Sequence, residues 1–348
     1  MKTSKLGFEE SLGKNVVETS RCVGCASCVV VCPFSSLSYD KQKPTLTEEC
    51  KQCGICPNVC PRFNWSREEA EKFLFGKASS EADDFGICRR IVLAQTANKR
   101  ILRKCQDGGA VSTLVAYALR NNLIDAAALS GLNTDKPLFP VPKLASTLNG
   151  IIESAGTRYA YSPNMLAFAE GIKGGFRKLA FVGTPCQIQA IRKVQMSPLK
   201  KFSNPIQLAI GLMCTECFSY DGLFLKHIEG EMGIDLHKIV KMNIKGKIII
   251  SLETGEEHTI PLPKAKQYAR ESCGFCQDFS AELADISAGG LGLSNWTLLV
   301  LRTKNGEELF DRCVEAGQLK TRSPDGEAFA LKLLTKLSRK KKSIFSNS

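Results

Sequence analysis

Short runs of apolar and β-branched residues recur along the chain from about residue 86, and segments with helical apolar spacing lie between them. The runs suit buried strands, and the spaced segments are typical of helices that cover a sheet. The predicted strands are Arg90–Thr96, Ile124–Leu129, Leu179–Val182, Ile206–Met213 and Trp296–Arg302. The predicted helices are Gly109–Arg120, Pro185–Val194, Tyr220–Met232 and Glu307–Ala316. Strands that alternate with helices predict an α/β fold, a mixed sheet with flanking helices.

Other segments interrupt this alternation. Val240–Leu262 is typical of a β meander, with turns at Lys245-Gly246-Lys247 and Thr254-Gly255. Residues 63–85 predict a charged helix followed by a polar linker, and the basic residues 338–348 predict a frayed tail. We therefore divide the chain into a cysteine-rich module at 1–62, a helix and linker at 63–85, an α/β domain at 86–337 and a tail at 338–348.

Composition narrows the classes of protein. No stretch approaches the roughly 20 apolar residues of a membrane-spanning helix, and the first residues lack the apolar core of a secretory signal. We therefore expect a cytoplasmic protein, in which sixteen cysteines favour metal ligation over disulfides. The net charge of +12 suits an anionic cofactor, an acidic partner or an anionic membrane face. Nucleic acid is disfavoured, because no nucleic-acid motif is present and aromatic residues make up only 7% of the chain.

One cysteine motif occurs twice near the N-terminus. The run Cys22-x2-Cys25-x2-Cys28-x3-Cys32-Pro33 recurs 28 residues later, from Cys50 to Pro61. In such a run the first three cysteines wrap one [4Fe–4S] cluster, and the cysteine before proline ligates the other cluster. One predicted cluster is therefore bound by Cys22, Cys25, Cys28 and Cys60. The other is bound by Cys50, Cys53, Cys56 and Cys32.

The small residues Gly24, Ala26 and Gly54 let backbone N–H groups approach the cluster sulfurs. Zinc-binding or free cysteines are the alternative, and two complete copies that each end in Cys-Pro disfavour them. Residues 1–62 resemble the two-cluster bacterial ferredoxins, which implies a ferredoxin-like α+β module that passes single electrons.

A second set of cysteines lies in the α/β domain. Cys186 and Cys214 follow predicted buried strands, whose ends gather at one edge of an open α/β sheet. A third [4Fe–4S] cluster is our hypothesis, with five thiols for four places: Cys186, Cys214, Cys217, Cys273 and Cys276. Structural zinc on the paired Cys-x2-Cys motifs and a purely structural set remain alternatives. The other thiols, Cys88, Cys105 and Cys313, are expected to be small buried hydrophobes.

Several ordered motifs carry a family resemblance. They are Asp107–Ser112 (DGGAVS), Ala155–Ser162 (AGTRYAYS), Phe181–Ile188 (FVGTPCQI), Gly211–Cys214 (GLMC) and Cys273–Gly292 (CGFCQDFSAELADISAGGLG). Together they resemble the beta subunits of coenzyme F420-reducing hydrogenases and F420-dependent dehydrogenases. The N-terminal ferredoxin module makes the chain similar to the input subunit of archaeal F420H2 dehydrogenases of methanogen type.

The resemblance implies bound FAD, a place for the deazaflavin coenzyme F420 in the domain at 86–337, and a cluster near the flavin. The implied cluster ligands are Cys186, Cys214, Cys273 and Cys276, and Cys217 is a departure from the family pattern. No G-x-G-x-x-G fingerprint follows a first strand. The candidate cofactor-binding residues are instead Gly108, Gly109, Ser112, Gly156, Thr157, Arg158, Tyr159, Gly183, Thr184, Pro185, Gly289 and Gly290.

The resemblance implies an oxidoreductase that takes a hydride from reduced F420 onto FAD. Single electrons then leave through the [4Fe–4S] clusters to membrane-bound or soluble electron-transport subunits, because a flavin converts two-electron into one-electron chemistry. The alternatives are a relay subunit without flavin catalysis, and the F420-reactive beta subunit of a formate dehydrogenase or a hydrogenase. None of the histidines, His227, His237 and His258, lies in a motif, and no catalytic residue is assigned.

Basic residues suggest two further contacts. Anionic groups on the deazaflavin favour a basic entrance to its site, for which the candidates are Arg158, Arg192, Lys193, Lys200 and Lys201. The tail run Arg339–Lys342 could dock on an acidic partner or on the inner face of the membrane, since each cation near an anionic bilayer contributes about 1 kcal/mol.

Overall fold

The computed structural model describes residues 6–345, so the parts of the predicted N-terminus and tail at 1–5 and 346–348 lie outside the described residues. Its largest element is an eight-stranded mixed sheet. The strands of this sheet are β3 (Arg90–Thr96), β4 (Ala126–Leu132), β5 (Pro140–Ala145), β6 (Leu179–Gly183), β7 (Ile206–Leu212), β11 (Ile286–Gly289), β12 (Thr297–Leu301) and β13 (Leu319–Arg322). The other strands are β1 (Leu37–Asp40), β2 (Lys43–Leu46), β8 (Ile239–Ile244), β9 (Lys247–Leu252) and β10 (Glu257–Pro261).

Helices cover both faces of the sheet and connect its strands. The α-helices are α1 (Ser27–Val30), α2 (Ile55–Val59), α3 (Arg67–Phe75), α4 (Lys99–Lys104), α5 (Ala110–Arg120), α6 (Leu148–Glu153), α7 (Met165–Lys173), α8 (Pro185–Met196), α9 (Lys200–Ser203), α10 (Leu262–Lys266), α11 (Lys304–Glu315) and α12 (Ala328–Lys342). Glu9–Val17 and Tyr220–Glu231 are π-helices, and Leu236–Lys238, Glu271–Phe275 and Ser343–Phe345 are short 3₁₀ turns.

The strand order is β13-β3-β12-β11-β7-β6-β4-β5. Strands β4, β6, β7 and β11 run parallel, and antiparallel strands flank them on both sides. The carboxyl ends of β6, β7 and β11 are in register at Gly183, Gly211 and Ser287. Loops that leave these ends therefore meet at one edge, where open α/β sheets bind ligands.

Two hydrophobic cores sandwich the sheet. One lies under α5, α6 and α11 and includes Leu114 and Phe310. The other lies under α7 and α8 and includes Phe168, Ile188 and Ile191. Pro185 occupies the first position of α8, where its fixed φ and missing N–H suit a helix start.

The N-terminal module docks on the second core. Its β1–β2 hairpin and the short helices α1 and α2 hold the repeated cysteine motifs. Val31 follows α1 and Val59 ends α2, and both are buried in the core with α7 and α8, joined by Ala70 of α3. A separate core of Phe8, Leu12 and Val16 links the first π-helix to this module.

The β8–β9–β10 sheet is an antiparallel meander that packs on the second π-helix through a core containing Leu223, Phe224 and Ile248. The predicted meander, the five predicted strands and the charged helix after residue 63 are confirmed, as is the α/β fold class with an N-terminal cluster module. The frayed tail is wrong for residues 338–342, because α12 continues to Lys342 and the proposed boundary at 337 falls inside it. Among residues 6–345, no helix is both long and apolar enough to cross a membrane.

Candidate functional site

The two cysteine loops of the N-terminal module share an unusual backbone conformation. In the first loop Gly24 and Ala26 flank Cys25 with φ angles of 68° and 67°. In the second loop Gln52 and Gly54 flank Cys53 with φ angles of 48° and 72°. Left-handed residues on both sides of a cysteine curl the chain and turn successive N–H groups toward one concave side, which binds anionic groups. Both copies of the repeat therefore have a backbone that fits an iron–sulfur cluster.

The structure brings together both predicted quartets, with the fourth cysteine exchanged between the repeats. Burial, followed by the nearby thiols of Cys25, Cys60 and Cys22, raises the pKa of Cys28 well above its usual value. Burial and the thiols of Cys50, Cys53 and Cys32 likewise raise the pKa of Cys56 to about 12. These cysteines need a positive partner to exist together as thiolates, and an iron–sulfur core supplies one.

The two quartets differ in their exposure. Cys32, Cys50, Cys53 and Cys56 line a depression with about 360 Å³ of empty space, open solvent included, and Cys53 is exposed. In the other quartet Cys25, Cys28 and Cys60 are buried. Val23 and Cys25 pack against Ala190 and Cys186 of α8. We call the Cys22, Cys25, Cys28 and Cys60 set the inner quartet and the Cys32, Cys50, Cys53 and Cys56 set the outer quartet.

The five thiols of the α/β domain all line one cavity, which has about 340 Å³ of empty space with its opening included and which we call the thiol cavity. The sulfurs of Cys214 and Cys217 are 4.0 Å apart, and the backbone N–H of Cys217 donates to the Cys273 sulfur at 3.4 Å. Cys276 is the thiol that most raises the pKa of Cys186, after burial itself. The geometry thus groups Cys217 with the four cysteines of the family pattern.

Two arginines supply positive charge to this cavity. Arg62 and Arg270 both line it. Arg62 follows Cys60 and Pro61 of the inner quartet, and its Nε and Nη2 atoms are buried without a hydrogen-bond partner. Burial raises the pKa of Cys273 to about 11, while Arg270 and Lys341 act in the opposite direction. A donor set of thiols faced by two arginines that have no carboxylate partner among the described residues fits an anionic iron–sulfur centre.

A much larger cavity opens at the carboxyl ends of the parallel strands, with about 1670 Å³ of empty space that includes its open mouth. Its wall contains nine of the twelve candidate cofactor-binding residues: Gly109, Ser112, Gly156, Thr157, Arg158, Tyr159, Thr184, Gly289 and Gly290. Four residues line both this cavity and the thiol cavity: Thr184, Cys214, Thr215 and Cys217. The two cavities therefore share a wall.

The remaining three candidates lie outside the wall of the large cavity. A Cβ on Gly108 would lie 2.4 Å from the Ala94 carbonyl oxygen, so this glycine permits its loop to pack closely against β3 and β12. A Cβ on Gly183 would lie 2.5 Å from Gln187 Oε1, and Pro185 lines the thiol cavity instead. In contrast, a Cβ on Gly290 would lie 2.3 Å from Asp107 Oδ2 at the cavity wall.

Arg158 is the only wall residue among the candidates that carries a positive charge. Its Nη2 donates to the Ala155 carbonyl at 3.3 Å, whereas its Nε is buried without a partner. Burial lowers its pKa, and within residues 6–345 it makes no ion pair. A buried guanidinium without a counter-ion is costly unless a ligand provides an anion. The cavity therefore fits a ligand with a phosphate or carboxylate group, and FAD has such a group.

Sequence reasoning missed the contribution of β8 to this site. Ile244 lines the cavity, and the Met242 carbonyl accepts hydrogen bonds from Gln106 Nε2 at 2.9 Å and from the Tyr159 hydroxyl at 3.2 Å. Burial raises the pKa of Asp107 in the wall, while Lys241 and Lys245 oppose this shift. The alternation of Lys241, Asn243 and Lys245 on one face of a strand was the available signal.

The other predicted entrance residues do not line the cavity. Arg192 is buried, pairs with Asp285 at 3.0 Å and donates to the Leu283 carbonyl at 2.8 Å. Lys193 donates to the Phe63 carbonyl at 2.7 Å and so joins the two parts of the chain. Lys200 and Lys201 are exposed residues of α9. Arg192 and Lys193 are therefore engaged in contacts within the fold, and a basic entrance to the deazaflavin site at these four residues stays a prediction.

Most of the basic side chains in the tail run Arg339–Lys342 also have partners within the chain. Arg339 forms two contacts with Asp84 at 2.6 and 2.8 Å. Lys341 donates to the Cys273 carbonyl at 3.1 Å, and Lys342 donates to the Asp83 carbonyl at 2.8 Å. Three of the four cations in Arg339–Lys342 thus make contacts within the chain.

The residues outside the motifs have mixed surroundings. Cys313 is buried in the core, as expected, whereas Cys105 lines the large cavity. His227 stacks on Tyr268 and pairs with Glu231 at 2.6 Å, away from both cavities.

The N-terminal module has two cluster-binding repeats, and it lies beside cavities at the carboxyl ends of the parallel strands of an α/β sheet. This combination defines an iron–sulfur electron-transfer protein. Three family descriptions match the chain: a 4Fe-4S dicluster domain at 14–71, and the N-terminal and C-terminal parts of the coenzyme F420 hydrogenase/dehydrogenase beta subunit at 91–169 and 176–327. The chain belongs to the family of coenzyme F420 hydrogenase/dehydrogenase beta subunits.

Known proteins extend this finding. Coenzyme F420 hydrogenase subunit beta of Methanococcus voltae is 35% identical over 74% of this chain and 92% of its own length. An F(420)H(2) dehydrogenase subunit of Methanosarcina mazei is 27% identical over 85% of this chain and 83% of its own length. A chain in the F420-reducing [NiFe] hydrogenase complex of Methanosarcina barkeri has a TM-score of 0.73 and 34% identity, covering 77% of this chain and 94% of that one.

Proposed function

We propose that this chain is an iron–sulfur flavoprotein that oxidises reduced coenzyme F420 and passes single electrons to a partner electron-transport complex. The observation that carries the proposal is the wall that the two cavities share, formed in part by Cys214 and Cys217. A redox ring in the large cavity would lie next to the ligands of a cluster, which in turn lie next to the inner quartet.

The residues of the large cavity have separable tasks. FAD, when bound, would convert two-electron chemistry into one-electron chemistry. Arg158 would bind an anionic group of that ligand, and Gly289 and Gly290 would admit its close approach. The apolar side chains of Val115, Leu129 and other wall residues would exclude water from the reacting rings.

Cluster ligation divides among three quartets in this proposal. The inner and outer quartets hold two [4Fe–4S] clusters, and Cys186, Cys214, Cys273 and Cys276 hold the third. The neighbouring thiols and the two arginines without a carboxylate partner in the described part of the chain favour an anionic centre there. The proposed partners are membrane-bound or soluble electron-transport subunits, and a peripheral position on the inner membrane face is compatible with the same electron path.

The choice of a dehydrogenase-type subunit rests on the extent of similarity. The match to the hydrogenase beta relative covers 74% of this chain, and the match to the dehydrogenase relative covers 85%. The second candidate, the F420-reactive subunit of a hydrogenase, is favoured by the higher identity of the former, 35% against 27%.

The test uses the full chain, loaded anaerobically with iron, sulfide and FAD. Reduced F420 and a one-electron viologen dye are added, and recovery of the deazaflavin absorbance is followed. We expect recovery only with FAD-loaded protein. Reaction with a nicotinamide and none with F420 would overturn the substrate, and failure to retain any flavin would favour the relay subunit without flavin catalysis.

A further inference from the structure

Arg62 and Arg270 lie between two groups of thiols. Arg270 Nη1 donates to the Val23 carbonyl at 3.0 Å, next to Cys22 of the inner quartet. Its backbone N–H donates to the Cys217 carbonyl at 3.0 Å, and its own carbonyl accepts from the Cys273 N–H at 2.9 Å. One arginine thus contacts the inner quartet loop and both loops of the thiol cavity.

Arg62 lies at the same boundary. It follows the Cys60-Pro61 pair of the inner quartet, and it lines the thiol cavity. The sulfurs of Cys276, Cys186 and Cys60 lie near its guanidinium, so proposed ligands of both sites surround one cation.

Neither arginine pairs with a carboxylate in the described part of the chain. Arg270 instead stacks on the Tyr161 ring, 4.1 Å from its centroid, and two nitrogen atoms of Arg62 are buried without partners. Charges withdrawn from water in this way require compensation nearby. The anions in reach are the two sets of cysteine sulfurs, so the compensation is mutual.

We propose that Arg62 and Arg270 are positioning residues that provide a shared counter-charge for the inner quartet cluster and the cluster in the thiol cavity. Each added electron makes a cluster more negative, so two cations between the sites stabilise the reduced form of both. Because each arginine lies near both sites, each would shift the two reduction potentials in the same direction. This inference rests on the cluster assignments of the proposed function.

The outer quartet provides an internal reference. The charged residue that lines its cavity is Lys51, which is exposed and paired with Glu49 at 2.5 Å. An exposed pair in water is strongly screened. Loss of Arg62 or Arg270 should therefore leave the outer cluster unchanged.

The experiment is a potentiometric titration of the full, cluster-loaded chain with mediators and dithionite, followed by low-temperature EPR. The variants are Arg62→Met and Arg270→Met, with Arg62→Lys and Arg270→Lys as charge-preserving partners and Lys51→Met as the matched control. Each Met variant should lower the electron affinity of both the inner and the thiol-cavity cluster at least tenfold, which is about 59 mV for a one-electron couple. The Lys variants should have reduction potentials close to those of the wild type. Lys51→Met should leave the potentials of the inner-quartet cluster and of the thiol-cavity cluster unchanged.

Several results would overturn this assignment. Unchanged potentials in both Met variants would reduce the arginines to packing and hydrogen-bonding roles, as would an equal shift of all three clusters. If a Met variant loses a cluster, the Lys variant decides: full loading and wild-type potentials with lysine support the charge, and the same loss with lysine rejects it. The titration needs no F420, so its failure is distinct from failure of the proposed substrate.

Discussion

The side-chain amine of Lys341 donates a hydrogen bond to the backbone carbonyl of Cys273 at 3.1 Å, across 68 residues of sequence. The same helix, α12, places Leu333 and Leu337 in the wall of the large cavity. One C-terminal helix therefore contacts both proposed redox sites. Through the Lys341 hydrogen bond, this helix anchors the Cys273 loop.

Replacement of Lys341 should loosen the thiol cavity. In Lys341→Met the Cys273 carbonyl loses its buried charged donor, a bond type that contributes about 1.5–3 kcal/mol. We expect a lower unfolding temperature and iron that falls from about twelve toward about eight atoms per chain, the contents of three and two cubanes. Iron quantification and thermal melts measure this. The neighbouring exposed residue supplies the control, Lys340→Met, and equal effects of the two changes would refute a specific role.

Removal of the unpaired cation in the large cavity should weaken ligand binding. Arg158→Met should raise the dissociation constant for FAD or the KM for reduced F420 about 10- to 100-fold, since hydrogen bonds to charged groups contribute about 1.5–3 kcal/mol. Flavin titration and steady-state kinetics decide which ligand it holds. Arg103→Met changes an exposed arginine of α4 and should do nothing. Wild-type values for both ligands in Arg158→Met would contradict an anion site here.

The exchange of ligands between repeats predicts which cluster each mutation removes. Cys60 lies among Cys22 and Cys25 of the first repeat, although it belongs to the second by sequence. Cys60→Ser should abolish the EPR signal of the inner cluster and spare the outer one, and Cys32→Ser should do the reverse. Cys313→Ser, in the core, should spare both. Loss of the outer signal in Cys60→Ser would mean that each repeat holds its own cluster.

The buried carboxyl of Glu282 should make stability depend on pH. Burial, reinforced by Asp278, raises its pKa to about 7, against the opposing charges of Arg67, Lys342 and Arg302. The folded state therefore binds the proton more tightly than the unfolded chain, whose Glu pKa is about 4.3. This contribution is complete below that value and is lost as pH rises through 7, by up to about 3 kcal/mol.

Glu282→Gln should flatten that dependence. Melting temperatures at pH 5, 6, 7 and 8 should decline less in the variant than in the wild type, and comparison at each pH cancels the response of the clusters themselves. Glu68→Gln changes an exposed residue paired with Lys72 and supplies the control. Parallel curves for Glu282→Gln and wild type would show that the carboxyl stays ionised in the fold.

Iron content can distinguish Cys217, the fifth thiol of the thiol cavity, from the four proposed cluster ligands. Cys217→Ser should retain about twelve iron atoms, whereas Cys186→Ser should fall to about eight or to a three-iron cluster. The 4.0 Å approach of Cys217 to Cys214 makes ligand exchange the competing outcome. Iron loss in Cys217→Ser with full iron in Cys186→Ser would reverse the assignment.

Much of this architecture could be predicted from the sequence, because it depends on residues that are close together along the chain. Ile206–Leu212 and Thr297–Leu301 are nearly continuous apolar runs, and they form central, buried strands. The cysteine repeat encodes both quartets through spacing alone. Edge strands were harder: Pro140–Ala145 contains two prolines, and Leu319–Arg322 is mostly polar and exposed, so neither has a strand pattern.

Contacts between residues far apart in the sequence also limited how much of the site could be predicted. The basic run Arg339–Lys342 has the composition of a solvated tail, and only the fold supplies Asp84, the Cys273 carbonyl and Glu282 as its partners. Arg192 similarly has the pattern of a charged helix face, but Asp285 lies beneath it. Among the nine cofactor candidates in the wall of the large cavity, Thr184, Gly289 and Gly290 lie at the carboxyl ends of parallel strands, a relation that the sequence does carry. The other six come after the helices α4 and α6, and the sequence does not show that these segments reach the same edge of the sheet.

Cys53 is exposed, and this leaves the outer quartet open to attack by dissolved oxygen. A cluster must come close to the surface to exchange electrons with another protein, and dissolved oxygen reaches it by the same opening. Air should therefore attack the outer quartet first, while Cys25, Cys28 and Cys60 remain shielded. Oxidative damage would then remove the exposed cluster of the proposed electron path first, while the buried thiols still hold theirs.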